Sequence, residues 1–330
     1  MAIIAFIHAM DYQNEQRWLQ RLNQLLADNA EADSELANDI VVSAKSLTDE
    51  QAAAVELAIV ANPDVDELVR FNGLIWVQSL WAGVEAMVPK LASINQQRAG
   101  NEIKLVRLID PFLAQTMAEA VLAWTLFLHR NMAHYAAQQQ QKVWRELPCA
   151  PASEIRVSIL GAGELGRAAI EVLLHMGYQV NCWSRSAKNI SGVGNYCGDQ
   201  GLTELLTKTD ILVCLLPLTE QTKHIINKET LNLLPTGAKI INFARGGIIN
   251  HTDLLTALDK GKIEHAVLDV FDQEPLPEDS PLWSHPKVSI LPHISATTNL
   301  ATASRVAIDN MINYRQQGVI PSCVDLQRGY

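Results

Sequence analysis

Residues 155–170 read Ile-Arg-Val-Ser-Ile-Leu-Gly-Ala-Gly-Glu-Leu-Gly-Arg-Ala-Ala-Ile, and this stretch decides the fold class. A strand-like apolar run leads into Gly161, Gly163 and Gly166, which have G-x-G-x-x-G spacing. Apolar residues then recur at helical period, so the stretch predicts a strand, a tight turn and a helix. In that context the glycines are typical of a dinucleotide-binding turn, in which a helix N-terminus meets the phosphates. A plain strand–helix turn is the alternative interpretation.

The composition fits a globular chain long enough for two domains and argues against several other classes. The chain has 330 residues, 48% of them hydrophobic, and a formal net charge of −10. Nucleic-acid binding requires clustered Lys and Arg, which this sequence lacks, so we expect no nucleic-acid partner. The five cysteines form no C-x-x-C pair. They indicate free thiols in a reducing compartment, hence the cytoplasm, and neither disulfides nor a metal site.

The N-terminus and the apolar segments predict neither a signal peptide nor a membrane partner. Residues 1–8 lack a basic region and are followed closely by Asp11, so they read as a β-strand. The most apolar later run, residues 120–128, is much shorter than the ~20 residues that a membrane-spanning helix needs. We therefore expect a protein of the cytoplasm.

Strands alternate with helices on both sides of the glycine stretch, which predicts an α/β protein with parallel, doubly wound sheets. The first half has no glycine fingerprint, so it reads as a second α/β domain without a dinucleotide site. One long helix is predicted at residues 112–134; it is mostly apolar and must be covered by domain packing or by a partner subunit. The other predicted elements are strands at 3–8, 40–43, 57–60, 74–79, 179–183, 211–216, 239–243, 266–270 and 288–291, and a helix at 12–28.

The end of the strand at 179–183 bears on the choice of cofactor. An NAD site usually has Asp or Glu there, which accepts hydrogen bonds from the ribose hydroxyls. This chain has Ser184, Arg185, Ser186 and Lys188 instead, with no acidic residue before Asp199. A guanidinium can grip a 2′-phosphate with two parallel hydrogen bonds. The segment favours NADP(H) over NAD(H), although a surface arginine after a strand would look the same.

Three complementary polar residues, Arg245, Glu274 and His293, each follow a predicted strand of the second half. The carboxyl ends of parallel strands share one edge of a sheet, where the glycine turn also lies. Arg can bind a carboxylate and polarise a neighbouring carbonyl, His can donate a proton, and Glu can orient the imidazole. Beside a nicotinamide they predict reduction of a 2-oxo acid. Taken singly, each residue also fits a surface ion pair, a turn or a structural histidine.

The loop that follows the strand at 74–79 has two interpretations of equal weight. Trp81 is either a loop residue packed on its own domain or the wall of a small substrate pocket. In the second case the N–H groups of Ala82 and Gly83 would hold the substrate carboxylate, because loops after strand ends are where open α/β sheets bind ligands.

In combination and order, the motifs of the second half resemble those of the D-isomer-specific 2-hydroxyacid dehydrogenases. Within that family they look like the members that reduce glyoxylate and hydroxypyruvate with NADPH. The match is looser over the first 110 residues. The resemblance rests on residues 160–166, 182–186, 215–219, 241–247, 268–277 and 292–296.

The resemblance implies a Rossmann cofactor domain, residues 112–297, inserted into a flavodoxin-like catalytic domain, residues 1–111 with 298–330. It also implies a homodimer that pairs through the helix at 112–134. Arg245 would bind the substrate, Glu274 would orient His293, and His293 would donate the proton. Trp81 suits a small 2-oxo acid, and Trp81, Ala82, Gly83, Arg245 and His293 would contact it.

The resemblance further implies a set of cofactor-binding residues. Asp269 resembles a residue that approaches the nicotinamide, although by itself it reads as a strand-end Asp in a turn. The full set is Gly161, Gly163, Glu164, Leu165, Gly166, Ser184, Arg185, Ser186, Lys188, Leu216, Pro217, Phe243, Ala244, Asp269 and Ser295. Two other functions stay open: an NAD-linked dehydrogenase of another D-2-hydroxy acid, and a non-catalytic dinucleotide-sensing binding protein.

Overall fold

The computed structural model describes residues 2–30, 39–98 and 100–330. The chain forms two compact units, Met1–Phe112 with Thr298–Tyr330, and Leu113–Thr297. Each unit has its own parallel sheet with apolar cores on both faces. The predicted fold class, two doubly wound α/β domains, is confirmed.

The first unit is built on β1 (Ile3–His8), α1 (Tyr12–Ala30), β2 (Ile40–Ser43), α2 (Asp49–Ala53), β3 (Leu57–Ala61), β4 (Trp76–Ser79), α3 (Val88–Gln97), β5 (Lys104–Val106) and the C-terminal helix Leu300–Gln317. Its sheet has the order β2-β1-β3-β4-β5, which is the flavodoxin-like order. Side chains of β1 alternate between the two cores: Ile4 and Phe6 face α1 and the C-terminal helix, and Ala5 and Ile7 face the other side.

The second unit contains α4 (Pro111–His129), α5 (Met132–Gln141), β6 (Arg156–Leu160), α6 (Glu164–His175), β7 (Gln179–Ser184), β8 (Gly194–Cys197), α7 (Gly198–Leu206), β9 (Ile211–Cys214), α8 (Lys228–Leu233), β10 (Ala238–Asn242), α9 (His251–Asp259), β11 (Ile263–Leu268) and β12 (Val288–Ile290). Its seven strands run parallel in the order β12-β11-β10-β9-β6-β7-β8. From β6 the chain adds β7 and β8 on one side of the sheet and β9 to β12 on the other, so the strand order reverses between β6 and β9. Open α/β sheets bind ligands at such a switch point. The glycine turn follows β6 directly.

The sequence did not predict β5 and β8, each of which is one of the two edge strands of its sheet. Both are short, and β8 alternates between exposed and half-buried residues, so neither has the apolar run that identifies a buried strand. Some predicted bounds also shift. The strand predicted at 211–216 ends at Cys214, and the one predicted at 266–270 is Ile263–Leu268.

The prediction of one helix over residues 112–134 is wrong. Helix α4 ends at His129 and α5 begins at Met132. Between them Asn131 adopts a left-handed conformation with φ of 56°, which Asn tolerates better than most residues. Its amide nitrogen donates to the carbonyl oxygen of Pro148 at 3.0 Å, and this contact holds the break in place.

The apolar run at 120–128 belongs to a longer helix, so its short length does not exclude a membrane-spanning segment. Helix α4 has 19 residues and a mean hydropathy of 1.3, enough in length and composition to cross a membrane. Core helices of globular proteins meet the same criterion, and Val121 and Leu128 pack in the apolar core of their unit. Several apolar residues of α4, among them Leu122, Trp124 and Leu126, are only half-buried, so α4 keeps an apolar surface that the chain leaves partly uncovered.

Candidate active site

The three glycines after β6 differ in what surrounds them. Gly161 has φ of 110°, and a Cβ there would lie 2.7 Å from the carbonyl oxygen of Leu215. A Cβ on Gly166 would overlap the carbonyl oxygen of Gly161. At Gly163, apart from its two neighbours in the chain, no atom of the described residues lies within 4 Å of an added Cβ. The first and third glycines therefore permit close packing, and the second leaves open space through which a diphosphate can approach the backbone.

The N-terminus of α6 fits the same ligand. The helix begins at Glu164, and Gly163 before it offers no side chain to cap the N–H groups of the first turn. These N–H groups and the positive end of the helix dipole favour an anion. On the same edge, the hydroxyl of Ser295 is buried and has no hydrogen-bond partner among the described residues. Contact of that hydroxyl with a bound dinucleotide stays a prediction.

The segment after β7 presents cations and hydroxyls. Ser184 Oγ donates to the carbonyl oxygen of Ser186 at 2.8 Å, which shapes the first turn. Arg185 and Lys188 are exposed. Burial raises the pKa of the Cys182 thiol in β7, and the positive charge of Arg167 partly offsets that rise. The charge of Arg167, in the first turn of α6, thus acts on β7 at Cys182.

Glu274 and His293 form a direct pair. Glu274 Oε2 lies 2.8 Å from His293 Nδ1, and Glu274 Oε1 accepts the N–H of Phe271 at 2.9 Å. A carboxylate only accepts, so Nδ1 carries a proton and Nε2 is the nitrogen left to exchange one with a substrate. The His293 side chain is 49% exposed, which leaves the imidazole accessible to a ligand.

Asp269 holds the turn that carries His293. It is 2% exposed, and its two carboxylate oxygens accept the N–H groups of Ile294 at 2.7 Å and Ser295 at 2.9 Å. Its carbonyl oxygen accepts the N–H of His293 at 2.9 Å. His293 has a left-handed φ of 56°, a conformation that costs a non-glycine residue about 1 kcal/mol or more. Asp269 offsets that cost. Contact between Asp269 and the cofactor stays a prediction.

The Arg245 turn is shaped by a buried asparagine that was not among the predicted site residues. Asn242, at the end of β10, donates to the carbonyl oxygen of Arg245 at 2.9 Å and accepts the N–H of Ala244 at 3.2 Å. Arg245 Nη1 donates to the carbonyl oxygen of Ala244 at 2.6 Å. Phe243 and Ala244, two of the predicted cofactor-binding residues, are buried in this turn. In the sequence, Asn242 could have been identified as a polar amide at the end of an otherwise apolar strand.

The loops of the three predicted catalytic residues are connected by two contacts. A Cβ on Gly246 would overlap the backbone of Phe271 and Asp272, so the Arg245 turn and the loop before Glu274 are in direct contact. Glu274 in turn contacts His293. Across the switch point, Leu216 is buried in the loop after β9, and Pro217 is half-buried beside it.

Trp81 lies in the first unit and packs on its own domain. Its ring meets Trp18 edge-on with a centroid distance of 6.4 Å, and its carbonyl oxygen accepts the N–H of Leu108 at 3.0 Å. Within residues 2–30, 39–98 and 100–330, the N–H groups of Ala82 and Gly83 donate to no acceptor, so both are available to a ligand. Contact of these three residues with substrate stays a prediction.

Known proteins match this chain in sequence and in fold. A family model described as D-isomer specific 2-hydroxyacid dehydrogenase, NAD binding domain, matches residues 122–295. A glyoxylate/hydroxypyruvate reductase A from Salmonella heidelberg (strain SL476) is 40% identical over 275 residues, 83% of this chain and 88% of that protein.

Solved structures match over the whole chain. A D-isomer specific 2-hydroxyacid dehydrogenase from Xanthobacter autotrophicus Py2, in complex with NADPH and MES, has a TM-score of 0.87 and 33% identity, over 100% of this chain and 99% of that chain. An NADPH-dependent glyoxylate/hydroxypyruvate reductase from Sinorhizobium meliloti, in complex with NADP and sulfate, has a TM-score of 0.83 and 27% identity over 100% of both chains. This chain belongs to the D-isomer-specific 2-hydroxyacid dehydrogenase family.

Proposed function

We propose that the protein reduces small 2-oxo acids with NADPH, converting glyoxylate to glycolate and hydroxypyruvate to D-glycerate. The main support for the proposal is the Glu274–His293 pair, at 2.8 Å, together with the direct contact between the loop that leads to Glu274 and the Arg245 turn. These loops follow strands of the same parallel sheet as the glycine turn. The relatives from Salmonella heidelberg and Sinorhizobium meliloti, named for glyoxylate and hydroxypyruvate, support the choice of substrates.

Each of the three side chains has a distinct part in the reaction. Bound NADPH supplies the hydride for the carbonyl carbon. Arg245 binds the substrate carboxylate and polarises the neighbouring carbonyl with its remaining N–H donors. His293 transfers a proton from Nε2 to the carbonyl oxygen, and Glu274 accepts from Nδ1 and stabilises the proton-bearing imidazole. The product is a 2-hydroxy acid.

Preference for NADP(H) over NAD(H) rests on the segment after β7. Arg185 and Lys188 are exposed there beside Ser184 and Ser186, in place of the carboxylate that would accept from ribose hydroxyls. Guanidinium and ammonium groups attract a 2′-phosphate and have no comparable partner in NADH. The NADPH and NADP complexes of the two solved relatives support the same choice.

A substrate panel at fixed NADPH and fixed NADH tests the proposal. We expect the highest kcat/KM for glyoxylate or hydroxypyruvate with NADPH, and a collapse of kcat in His293→Ala with a modest change in KM. A clear preference for NADH and a bulkier acid would favour the NAD-linked dehydrogenase. Binding of NADPH without turnover of any small 2-oxo acid would favour the dinucleotide sensor.

The two units have separate roles in this proposal. Residues 112–297 bind the cofactor, and residues 1–111 with 298–330 supply the substrate loop. The N–H groups of Ala82 and Gly83 bind the carboxylate, and the Trp81 ring limits the size of the acid. Trp81→Ala should raise kcat/KM for bulkier 2-oxo acids relative to glyoxylate. An unchanged ranking of acids would argue against this placement of Trp81.

We further propose a homodimer that pairs through α4 and the segments that follow it. Helix α4 keeps an uncovered apolar surface, and the Trp144 side chain is 100% exposed. Gln138 anchors the Trp144 segment, because its carbonyl oxygen accepts the N–H of Val143 and its side-chain oxygen accepts the N–H of Arg145. A second copy would cover both surfaces. Light scattering should give a dimer mass for the wild type and a smaller mass for Trp144→Ser; a wild-type monomer would refute the proposal.

The cytoplasm is the proposed location. All five cysteines have free thiols, and Cys149, Cys197 and Cys323 are exposed, which fits a reducing compartment. Cell fractionation with a tagged protein tests this, and recovery from the membrane or the exterior would contradict it.

A further inference from the structure

Asn195 is an exposed residue of the edge strand β8 whose side-chain amide contacts four groups around one loop. Its Nδ2 donates to the carbonyl oxygens of Ile190 at 3.0 Å and Val193 at 2.8 Å. Its Oδ1 accepts the N–H of Ile190 at 3.1 Å and the thiol of Cys182 at 3.5 Å. An amide has two N–H donors and two acceptor lone pairs, so the hydrogen-bonding capacity of Asn195 is fully used.

These contacts close the loop that carries the proposed 2′-phosphate ligands. Residues 185–193 connect β7 to β8 and include Arg185 and Lys188. At the start of the loop, Ser184 Oγ donates to the carbonyl oxygen of Ser186. At the far end, the paired bonds between the Asn195 amide and the Ile190 backbone imitate one rung of a β-ladder. The thiol of Cys182, buried in β7, anchors the amide to the sheet.

We propose that Asn195 is a positioning residue for the adenosine 2′-phosphate and thereby sets the preference for NADPH over NADH. It acts through the loop, by holding the backbone so that Arg185 and Lys188 are presented together before the cofactor binds. A preorganised site loses less conformational freedom on binding, and this lowers the KM of the ligand that uses it. NADH has no 2′-phosphate and does not use these cations. The inference rests on the proposed role of this loop in NADPH binding.

Asn195→Leu in the full chain is the test, because Leu keeps the branched shape of the side chain and removes all four contacts without adding charge. We expect the KM for NADPH to rise roughly fivefold, the scale of losing one net hydrogen bond. The kcat with NADPH and both kinetic constants with NADH should stay within about twofold, since the reacting groups lie on other loops. A merely structural role would move the NADPH and NADH constants together. Asn232→Leu, an exposed asparagine of α8 in the same unit, is the matched control.

A second readout avoids turnover altogether. Calorimetric titration with 2′,5′-ADP and with 5′-AMP separates the 2′-phosphate from the rest of the adenosine half. Asn195→Leu should weaken 2′,5′-ADP several-fold and leave 5′-AMP unchanged. If the Leu variant does not fold, Asn195→Ser removes most of the contacts with a smaller side chain and takes its place.

Arg185→Ala separates this inference from the proposed function. If Arg185→Ala raises the KM for NADPH and Asn195→Leu does not, the positioning role is overturned and NADPH binding by the loop stands. If neither variant changes the KM for NADPH, both the positioning role and the assignment of the loop to the 2′-phosphate are overturned. An equal rise for NADPH and NADH in Asn195→Leu also overturns the positioning role.

Discussion

Glu274→Gln tests the proposed proton donor most directly, because the side chain keeps its size and loses one acceptor. Glu274 Oε1 accepts the N–H of Phe271 at 2.9 Å, and Oε2 pairs with His293 Nδ1 at 2.8 Å. In the variant the amide oxygen must stay on the Phe271 N–H, since an NH₂ group there would face another donor. The NH₂ group then faces Nδ1 of His293, which has to accept.

That geometry opposes the proton-bearing form of His293, which has an N–H on both ring nitrogens. The expected loss is that of one hydrogen bond to a charged group, about 1.5–3 kcal/mol. The side chains of His293 and Glu274 are 49% and 36% exposed, so water weakens their interaction and the lower part of the range applies. A loss of about 1.5–2 kcal/mol in the transition state corresponds to a fall in kcat of roughly 10- to 30-fold.

The assay is steady-state oxidation of NADPH at saturating glyoxylate, with melting temperatures measured alongside. We expect the fall to appear in kcat, and the KM for glyoxylate to change by less than about threefold, because Arg245 still binds the carboxylate. Glu278→Gln, an exposed carboxylate of the same loop, is the control and should keep the wild-type kcat. A folded Glu274→Gln with the same kcat as that control would refute the role of the pair.

Three further perturbations examine the substrate site, the glycine turn and the apolar core. Arg245→Lys loses the bidentate fork, so the KM for glyoxylate should rise roughly tenfold or more; a rise confined to the KM for NADPH would contradict the placement of Arg245. Gly166→Ala forces a Cβ against the carbonyl oxygen of Gly161 and should lower the free energy of unfolding by roughly 2–3 kcal/mol in urea titrations. An unchanged urea midpoint would show that the turn can shift to accept the Cβ, and would contradict this prediction. Burial lowers the pKa of His265 from 6.5 to about 4, so the unfolded chain takes up this proton first. The contribution of neutral, buried His265 to stability is complete above pH 6.5 and is lost as the pH falls toward 4. His265→Asn should therefore reduce the change in the free energy of unfolding between these two pH values. The same pH dependence in the variant and the wild type would contradict the assignment.

The glycine turn was predictable because everything it needs is contiguous in the chain. A strand, Gly161, Gly163, Gly166 and a helix follow one another within residues 155–170, and their periodicities are local properties. The same holds for Arg185, which comes one residue after the last residue of β7. Strand ends also identified Arg245 and His293 as candidates, since parallel strands carry their carboxyl ends to one edge.

Other features depend on partners that are distant in sequence. The apolar pattern of residues 112–134 is continuous, but helix α4 ends at His129. The break is held by the side-chain amide of Asn131, which donates to the carbonyl oxygen of Pro148. The edge strand β8 is recognised only by its pairing with β7. Neither partner can be read from the residues beside it.

The sequence by itself determined the fold class, the dinucleotide turn and the residue types available for chemistry, because periodicity, glycine spacing and strand ends are encoded by neighbouring residues. Only the tertiary structure decided how the site is held. Asp269 reaches the backbone of Ile294 and Ser295, and Glu274 reaches His293, because the folded sheet and its loops bring those segments together. A buried carboxylate or amide takes whichever donors and acceptors the fold places within about 3 Å, and that choice is made by strand order rather than by local sequence.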